Sequence, residues 1–370
     1  MTVILVFYHV YFRQITEVLL QVGMYGIVMA HERKCSDSST TRRALLAATG
    51  VGAATALAGC SGGNSSQTTV RMRTSTSGTT AYGANQGLAG AINDQTDDLF
   101  VEAKTSQGTE ANIGALQSED AEMVYIQNWS AYDVQQGNDP FGELDFEMTQ
   151  VFHYYDLPWF FITDNTDLET LSDIGPSTAV SPTPSGSGTA PALEKALGYA
   201  TDDYERVSVG YSGQGNAMNE NQLDVGVGTL MNFVSNPSWL QEIASTVDLK
   251  VLDVEDSTAQ AWTDDERLLT QSVETDQIDG ADTPGEIPAP TFAYNFVSRG
   301  DLDYDTVYAF LEAMHEQKDE LADFHALLET FAEDSFWVKN MYDGVPFHPA
   351  AADFYEELGV WSEDFERADE

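Results

Sequence analysis

Residues 181–198 read SPTPSGSGTAPALEKALG. A Ser/Gly/Pro loop runs directly into a short helix. Pro191 falls in the first turn, where its missing N–H costs nothing. Thr189 is placed as an N-cap. Leu193, Ala196 and Leu197 make an apolar stripe, and Gly198 can end the helix. The free backbone N–H groups of such a start form an anion site. The stretch reads as one jaw of a ligand-binding cleft. An ordinary strand-to-helix turn has the same composition, so the flanking sequence has to decide.

Working outward, the same strand–polar loop–helix pattern recurs. The strand at 70–76 leads into Ser77-Gly78-Thr79-Thr80-Ala81-Tyr82 and a helix to about Asn93. The strand at 99–105 leads into Ser106-Gln107-Gly108-Thr109 and a helix carrying Asn112. The strand at 121–127 ends at Gln127, and a helix starts near Asn128. After the opening stretch, strands are expected at 206–211, 223–229 (ending on Thr229) and 249–254, with helices at 237–246 and 257–272. This pattern argues a parallel α/β sheet with its ligand loops at the carboxyl ends of the strands.

A long aromatic strand spans 146–163, and another returns at 291–298 after the Pro-rich turn 283–290. One strand going out and one coming back imply two lobes with a cleft between them. Two amphipathic helices follow, with Val307, Phe310, Leu311 and Met314 on one face and Leu321, Phe324, Leu328 and Phe331 on the other's. A loop and a last helix occupy 344–360.

The chain has 370 residues, is 42% apolar and carries a formal net charge of −44. Residues 60–370 hold 11 basic and 57 acidic groups, net −46. A nucleic-acid binder needs a basic footprint, so that class is excluded. Self-repulsion of this size is tolerable where salt screens it, with a Debye length of about 3 Å at 1 M. The composition therefore reads as a halophile's.

Residues 40–60, TTRRALLAATGVGAATALAGC, look like a twin-arginine export signal ending in a lipobox. Cys60 would be lipidated and become the first mature residue, anchoring the protein outside the cell. The expected division is a signal at 29–60 and a linker at 61–69, with 1–28 read as an over-extended start. Lobe 1 is then 70–158 with 292–370, and lobe 2 is 159–291.

Enzyme chemistry is not signalled. There is no HExxH, no GxSxG and no GK[ST] phosphate loop. No metal site and no cofactor are expected. An enzyme on this fold would have to turn on remote residues such as His153 or Glu220. Polar loops of Ser, Thr, Gly, Asn and Gln are suited to small polar ligands, and no basic residue falls inside them.

Taken together, the motifs resemble the TAXI branch of TRAP-transporter solute receptors over about residues 70–361. The resemblance rests on Ser77-Gly78-Thr79-Thr80-Ala81-Tyr82, on Gly108 with Asn112, and on Val124-Tyr125-Ile126-Gln127-Asn128. It rests further on Ser185-Gly186-Ser187-Gly188-Thr189 and on Val345-Pro346-Phe347-His348-Pro349-Ala350. Ser77 and Ala81 depart from the family's Gly and Tyr. The resemblance implies a two-lobed type II periplasmic-binding α/β fold that closes on a small organic acid or amino acid, glutamate-like, and delivers it to a TRAP permease. It also implies ligand contacts at Ser77, Gly78, Thr79, Thr80, Tyr82, Ser106, Gly108, Asn112, Gln127, Asn128, Ser185, Gly186, Ser187, Gly188, Thr189 and Thr229. A binding lipoprotein of an ABC transporter or a sensor would look the same.

Overall fold

The computed structural model describes residues 67–184, 187–201 and 203–369. The first α/β repeats are β1 (Thr68–Arg73), α1 (Thr80–Gln95), β2 (Leu99–Lys104), α2 (Thr109–Gln117), β3 (Met123–Gln127) and α3 (Asn128–Gln135). Strand β4 (Met148–Thr163) then runs 16 residues, buried throughout except at half-buried Leu157. Burial on both faces explains why it reads as a continuous apolar run without alternation.

The second set begins with β5 (Ala179–Val180), α4 (Ala190–Leu197), β6 (Glu205–Arg206) and α5 (Gln214–Asn219). It continues through β7 (Val225–Thr229), α6 (Ser238–Thr246), β8 (Lys250–Val251), α7 (Asp256–Thr263) and β9 (Leu269–Glu274). Strand β10 (Glu286–Arg299) returns, followed by α8 (Tyr304–Glu316), α9 (Leu321–Phe324) and α10 (Pro349–Leu358).

The strand order is β2-β1-β3-β10-β4-β7-β5-β6, with β8 on β4 and β9 on β10. β1 is parallel to β2 and β3, and β5 is parallel to β6 and β7. β4 and β10 run antiparallel to each other and to their other neighbours. β4 pairs with β10 through Pro158 and with β7 from Trp159 onward. The expected two-lobed α/β class is observed, but the sheet is mixed and not wholly parallel, because β4 and β10 run antiparallel to their neighbours. Lobe 1 is built on β2-β1-β3-β10-β4 and lobe 2 on the far ends of β4 and β10 with β5–β9.

The first lobe's core is aromatic. Phe152 of β4 stacks on Phe296 of β10 at 4.7 Å between centroids, and Phe310 of α8 and Phe331 close over Phe152. Rings of this size dominate burial energetics and fix their neighbours by edge and offset contacts.

Four local expectations are corrected. Residues 257–272 are not one helix. The helix ends at Thr263, and 269–274 is a strand on β10. Residues 283–290 are not only a turn, because β10 begins at Glu286 and contains Pro288 and Pro290. β10 pairs with β4 only from Thr291, so before that it has β9 on one edge and a second edge outside the main ladder. Prolines two residues apart fit such an edge.

The strand expected at 206–211 is only Glu205–Arg206, and Tyr211–Gly213 is a 3₁₀ turn. The helical face at 321–331 is broken at His325, whose extended backbone (φ −164°) ends α9. Its Nδ1 accepts from Leu327 N at 3.1 Å and starts a 3₁₀ segment, Ala326–Ala332. Phe324 is left exposed at 38%.

Candidate functional site

In lobe 1 the loop after β1 turns through Ser75–Thr79. Thr79 caps α1 by accepting from Tyr82 N at 3.2 Å, and its hydroxyl also bonds Ser75. Ser77, Gly78, Thr79 and Thr80 are exposed, and Tyr82 is half-buried. Gly108 precedes α2 at φ 129°, a conformation open to glycine alone. Ser106 is buried beside it, with its hydroxyl 3.4 Å from the Gly108 backbone.

Asn112 is fully buried, and its Nδ2 donates to the carbonyls of Thr74 and Tyr125, both at 2.8 Å. One amide thereby ties together the carboxyl ends of β1 and β3. Asn128 takes a structural contact, accepting from Ala293 N at 3.0 Å.

In lobe 2, Ser187 and Thr189 share a hydroxyl–hydroxyl bond of 2.8 Å at the start of α4. Thr189 holds the N-cap position expected of it, yet its side chain caps no backbone N–H, because its backbone is already helical (φ −89°, ψ −16°). The expected contacts Ser185 and Gly186 lie outside the described residues, as do Cys60 and the export signal. Thr229 is buried, and its hydroxyl donates to the Pro158 carbonyl at 2.7 Å, where β4 changes partners.

The two lobes meet where Gln127 Nε2, at the end of β3, donates to the carbonyl of Gly188 at 3.0 Å. Sequence reasoning missed the aromatic lining around this seam. Tyr294 stacks on Tyr155 at 4.7 Å and lies 4.8 Å from Tyr125. On the lobe 2 side Tyr211 sits between Trp159 at 5.4 Å and Trp239 at 5.3 Å, with its hydroxyl 3.5 Å from Ser187 Oγ. Burial pushes the Tyr155 and Tyr294 phenols well above their ordinary value, so both stay neutral. The aromatic run in 146–163 was visible in the sequence, but nothing local said which rings face a cleft.

Five buried side-chain atoms here have no hydrogen-bond partner in the protein: Thr74 Oγ1, Asn112 Oδ1, Gln127 Oε1, Trp159 Nε1 and Thr183 Oγ1. Thr74, Gln127 and Thr183 stand at or just beyond the carboxyl ends of β1, β3 and β5, Asn112 reaches the first two, and Trp159 is on the crossing strand. Buried polar atoms are nearly always bonded, so each of these atoms has hydrogen-bonding capacity that the protein itself does not use.

One charged cluster joins the lobes, and a second lies within lobe 1 on β4. The Arg267 guanidinium lies 3.6 Å over the Trp129 ring and donates to Asp133 Oδ2 at 2.8 Å. Asp156, fully buried on β4, accepts from Asn340 at 2.9 Å and pairs with Lys339 at 2.9 Å and with His153 at 3.5 Å. Burial works to raise the Asp156 pKa, but His153, Lys339 and Asn340 outweigh it and hold it down to about 2.

Ten of the eleven Lys and Arg side chains between Arg71 and Arg367 are ion-paired with carboxylates. The eleventh, Arg73, donates to the Asp120 carbonyl at 3.4 Å. Among the described residues no cluster of His, Cys, Asp and Glu is placed to hold a metal, and no helix is long and apolar enough to cross a membrane.

A family model matches residues 72–359, nearly the span over which the loop motifs occur. The chain belongs to the NMT1-like family. No curated protein matches this NMT1-like chain. It is similar to the solved structure of a probable amino-acid ABC transporter extracellular-binding protein of Bacillus subtilis. That match has 13% identity and a TM-score of 0.44, and covers 75% of this chain and 100% of the other. It is also similar to the periplasmic aliphatic sulphonate-binding protein of Escherichia coli, with 12% identity, a TM-score of 0.42, and 79% of each chain covered. A third is protein AF1704 of Archaeoglobus fulgidus, with 15% identity and a TM-score of 0.42, covering 79% of this chain and 98% of the other.

Proposed function

We propose that this NMT1-like chain is a solute-binding receptor. Its two lobes close on a small polar ligand, and the closed form is handed to a membrane permease. The observation that carries the reading is the seam itself. A cross-lobe hydrogen bond from Gln127 to Gly188 stands among buried, unpartnered polar atoms and stacked aromatic rings. Closure removes water, which strengthens every polar contact to a ligand, and the ligand in turn selects the closed state.

The finer parts of the reading are proposed with it. The protein would be exported by the twin-arginine route, held outside the cell by a lipid on Cys60, and adapted to concentrated salt. The lobes would be divided at 158/159 and 291/292. Contacts would come from the loops at 77–82, 106–112, 127–128 and 185–189 and from Thr229. The ligand would be a small organic acid or amino acid.

For the permease, the two similar solved proteins with transport roles are described as belonging to ABC-type import or as a periplasmic binding protein, and neither as a TRAP receptor. We therefore place ABC-type delivery ahead of TRAP delivery.

The test is a thermal-shift screen of small solutes in concentrated salt, followed by small-angle scattering of the best binder. A receptor is stabilised by its ligand by mass action and compacts on saturation. A stabilising ligand that leaves the scattering unchanged would count against lobe closure, and co-purification with a membrane protein would identify the permease class.

A further inference from the structure

We infer that Asn232 and Asn340 are positioning residues for closure: from opposite lobes they clamp the crossing strand at Asp156 and so fix the angle between the lobes. This rests on the receptor reading and adds the part that holds its pivot.

Strand β4 exchanges β10 for β7 between Pro158 and Trp159, so a rotation of one lobe against the other has to be absorbed there. Asp156 lies two residues before the exchange and is fully buried. Asn232, three residues past the end of β7, takes both main-chain groups of Asp156. Its N–H donates to the Asp156 carbonyl and its Oδ1 accepts from Asp156 N, both at 2.9 Å. One residue of lobe 2 thus stands in for a neighbouring strand. Asn232 Nδ2 also donates to Thr330 Oγ1 of lobe 1 at 3.3 Å.

Asn340 holds Asp156 by its side chain from lobe 1. Its Nδ2 donates to both carboxylate oxygens at 2.9 Å. The Asn340 amide also exchanges hydrogen bonds of 2.9 and 3.1 Å with the Gln271 amide of β9, in lobe 2. Asn295 Nδ2 of β10 donates to the Asn340 carbonyl at 3.1 Å. Both crossing strands and both lobes therefore meet on one residue.

Backbone strain collects at the same place. Among the described residues five other than glycine have a positive φ, and three of them are Asn232 (49°), Phe233 (67°) and Asn340 (47°). Asparagine tolerates this region, but a phenylalanine there is an outlier. Such conformations persist where their surroundings over-determine them, at clamps and switches. The Phe233 ring lies 4.6 Å from Lys339 Nζ, which pairs with Asp156, and its carbonyl accepts from Gln277 Nε2 at 2.7 Å.

The experiment measures amide hydrogen exchange and small-angle scattering on the full chain with no ligand added. Asn340→Gly and Asn232→Gly keep the left-handed backbone and remove only the side chain. Each should speed exchange in the seam segment 187–193 about fivefold, the size of one hydrogen bond, and raise the radius of gyration. Gln271→Met removes the amide pair from the lobe 2 side and should do the same if the glycine variants do not fold. Asn221→Gly replaces another residue of positive φ (55°), at the end of α5, and should leave seam exchange unchanged. Faster exchange confined to 229–235 and 338–342 in folded variants, with the seam and the radius unchanged, would overturn the inference and reduce the clamp to a local brace. An equal effect from Asn221→Gly would also overturn it. Because no ligand is added, either outcome leaves the receptor reading standing, and that reading falls on the solute screen alone.

Discussion

Gln127 at the tip of β3 donates its side-chain amide to the carbonyl of Gly188 across the seam, 3.0 Å away. Gln127 is 2% exposed while Gly188 is exposed, so the bond is half-buried. A single half-buried contact thus reports whether the lobes are together. Gln127→Ala removes it at a cost of about 1 kcal/mol. The variant should keep its fold and show a larger radius of gyration by small-angle scattering. An unchanged radius would mean the lobes are held by other contacts.

One such contact is Arg267, which lies over Trp129 and reaches Asp133, a carboxylate only 6% exposed. Arg267→Ala leaves that carboxylate with the Asn138 amide and no cation, and should lower stability by about 1–3 kcal/mol in denaturant titration. Arg267→Lys restores the charge but not the planar stack, so it should recover only part of the loss. Full recovery would show that charge alone matters there.

Asp156 supplies an acid-sensitive term. Its folded pKa, about 2, lies below the unfolded carboxylate's. The stabilisation is therefore present above about pH 4 and is lost as pH falls toward 2, with a size on the order of 2 kcal/mol. Other carboxylates relieve their repulsion over the same range, so the measurement is the difference between wild type and Asp156→Asn. That difference should shrink as the solution is acidified through pH 4 to 2, and a constant difference would refute the assignment.

Strand β7 reads Val225-Gly226-Val227-Gly228-Thr229, and both glycines are demanded by close neighbours. A Cβ on Gly226 would sit 2.2 Å from Gln214 Oε1, and one on Gly228 2.3 Å from Phe160 Cε2. Gln214 clasps Val227 through both its N–H and its carbonyl, and also bonds the Tyr211 carbonyl. Gly228→Ala should cost about 1–3 kcal/mol through overpacking. Gly226→Ala should in addition shift Tyr211 and weaken ligand binding. Thermal unfolding with and without ligand would separate the two effects.

Charge repulsion gives a last expectation. With net charge −46 over residues 60–370, the unfolding midpoint should rise as salt is added, since screening weakens repulsion between exposed carboxylates. A midpoint independent of salt would show that the acidic surface is already balanced by local ion pairs such as Lys195–Asp265.

Much of the fold was legible because it is written in local pattern. The α/β alternation from β1 to α3, the Pro191 and Gly198 limits of α4 and the two long crossing strands all follow from residues a few positions apart. The failures came where a distant partner overruled local preference. Residues 269–274 are mostly polar, but β10 offers them an edge, and Pro288 and Pro290 are accepted in a strand because one edge there is outside the main ladder.

The sequence by itself determined the class, the place of the polar loops at strand ends and the exclusion of a basic binding surface. Periodicity, turn chemistry and composition are short-range properties, and each survives any arrangement of the lobes. Only the tertiary structure decided that Tyr211 and Tyr294 face the same seam, that Gln127 meets Gly188, and that the amide oxygen of Asn112 is left over once its nitrogen is spent. Those facts depend on hydrogen-bonding groups 13 to 61 residues apart being brought together by the fold. Which polar atoms remain unsatisfied there is settled only when every neighbour is in place.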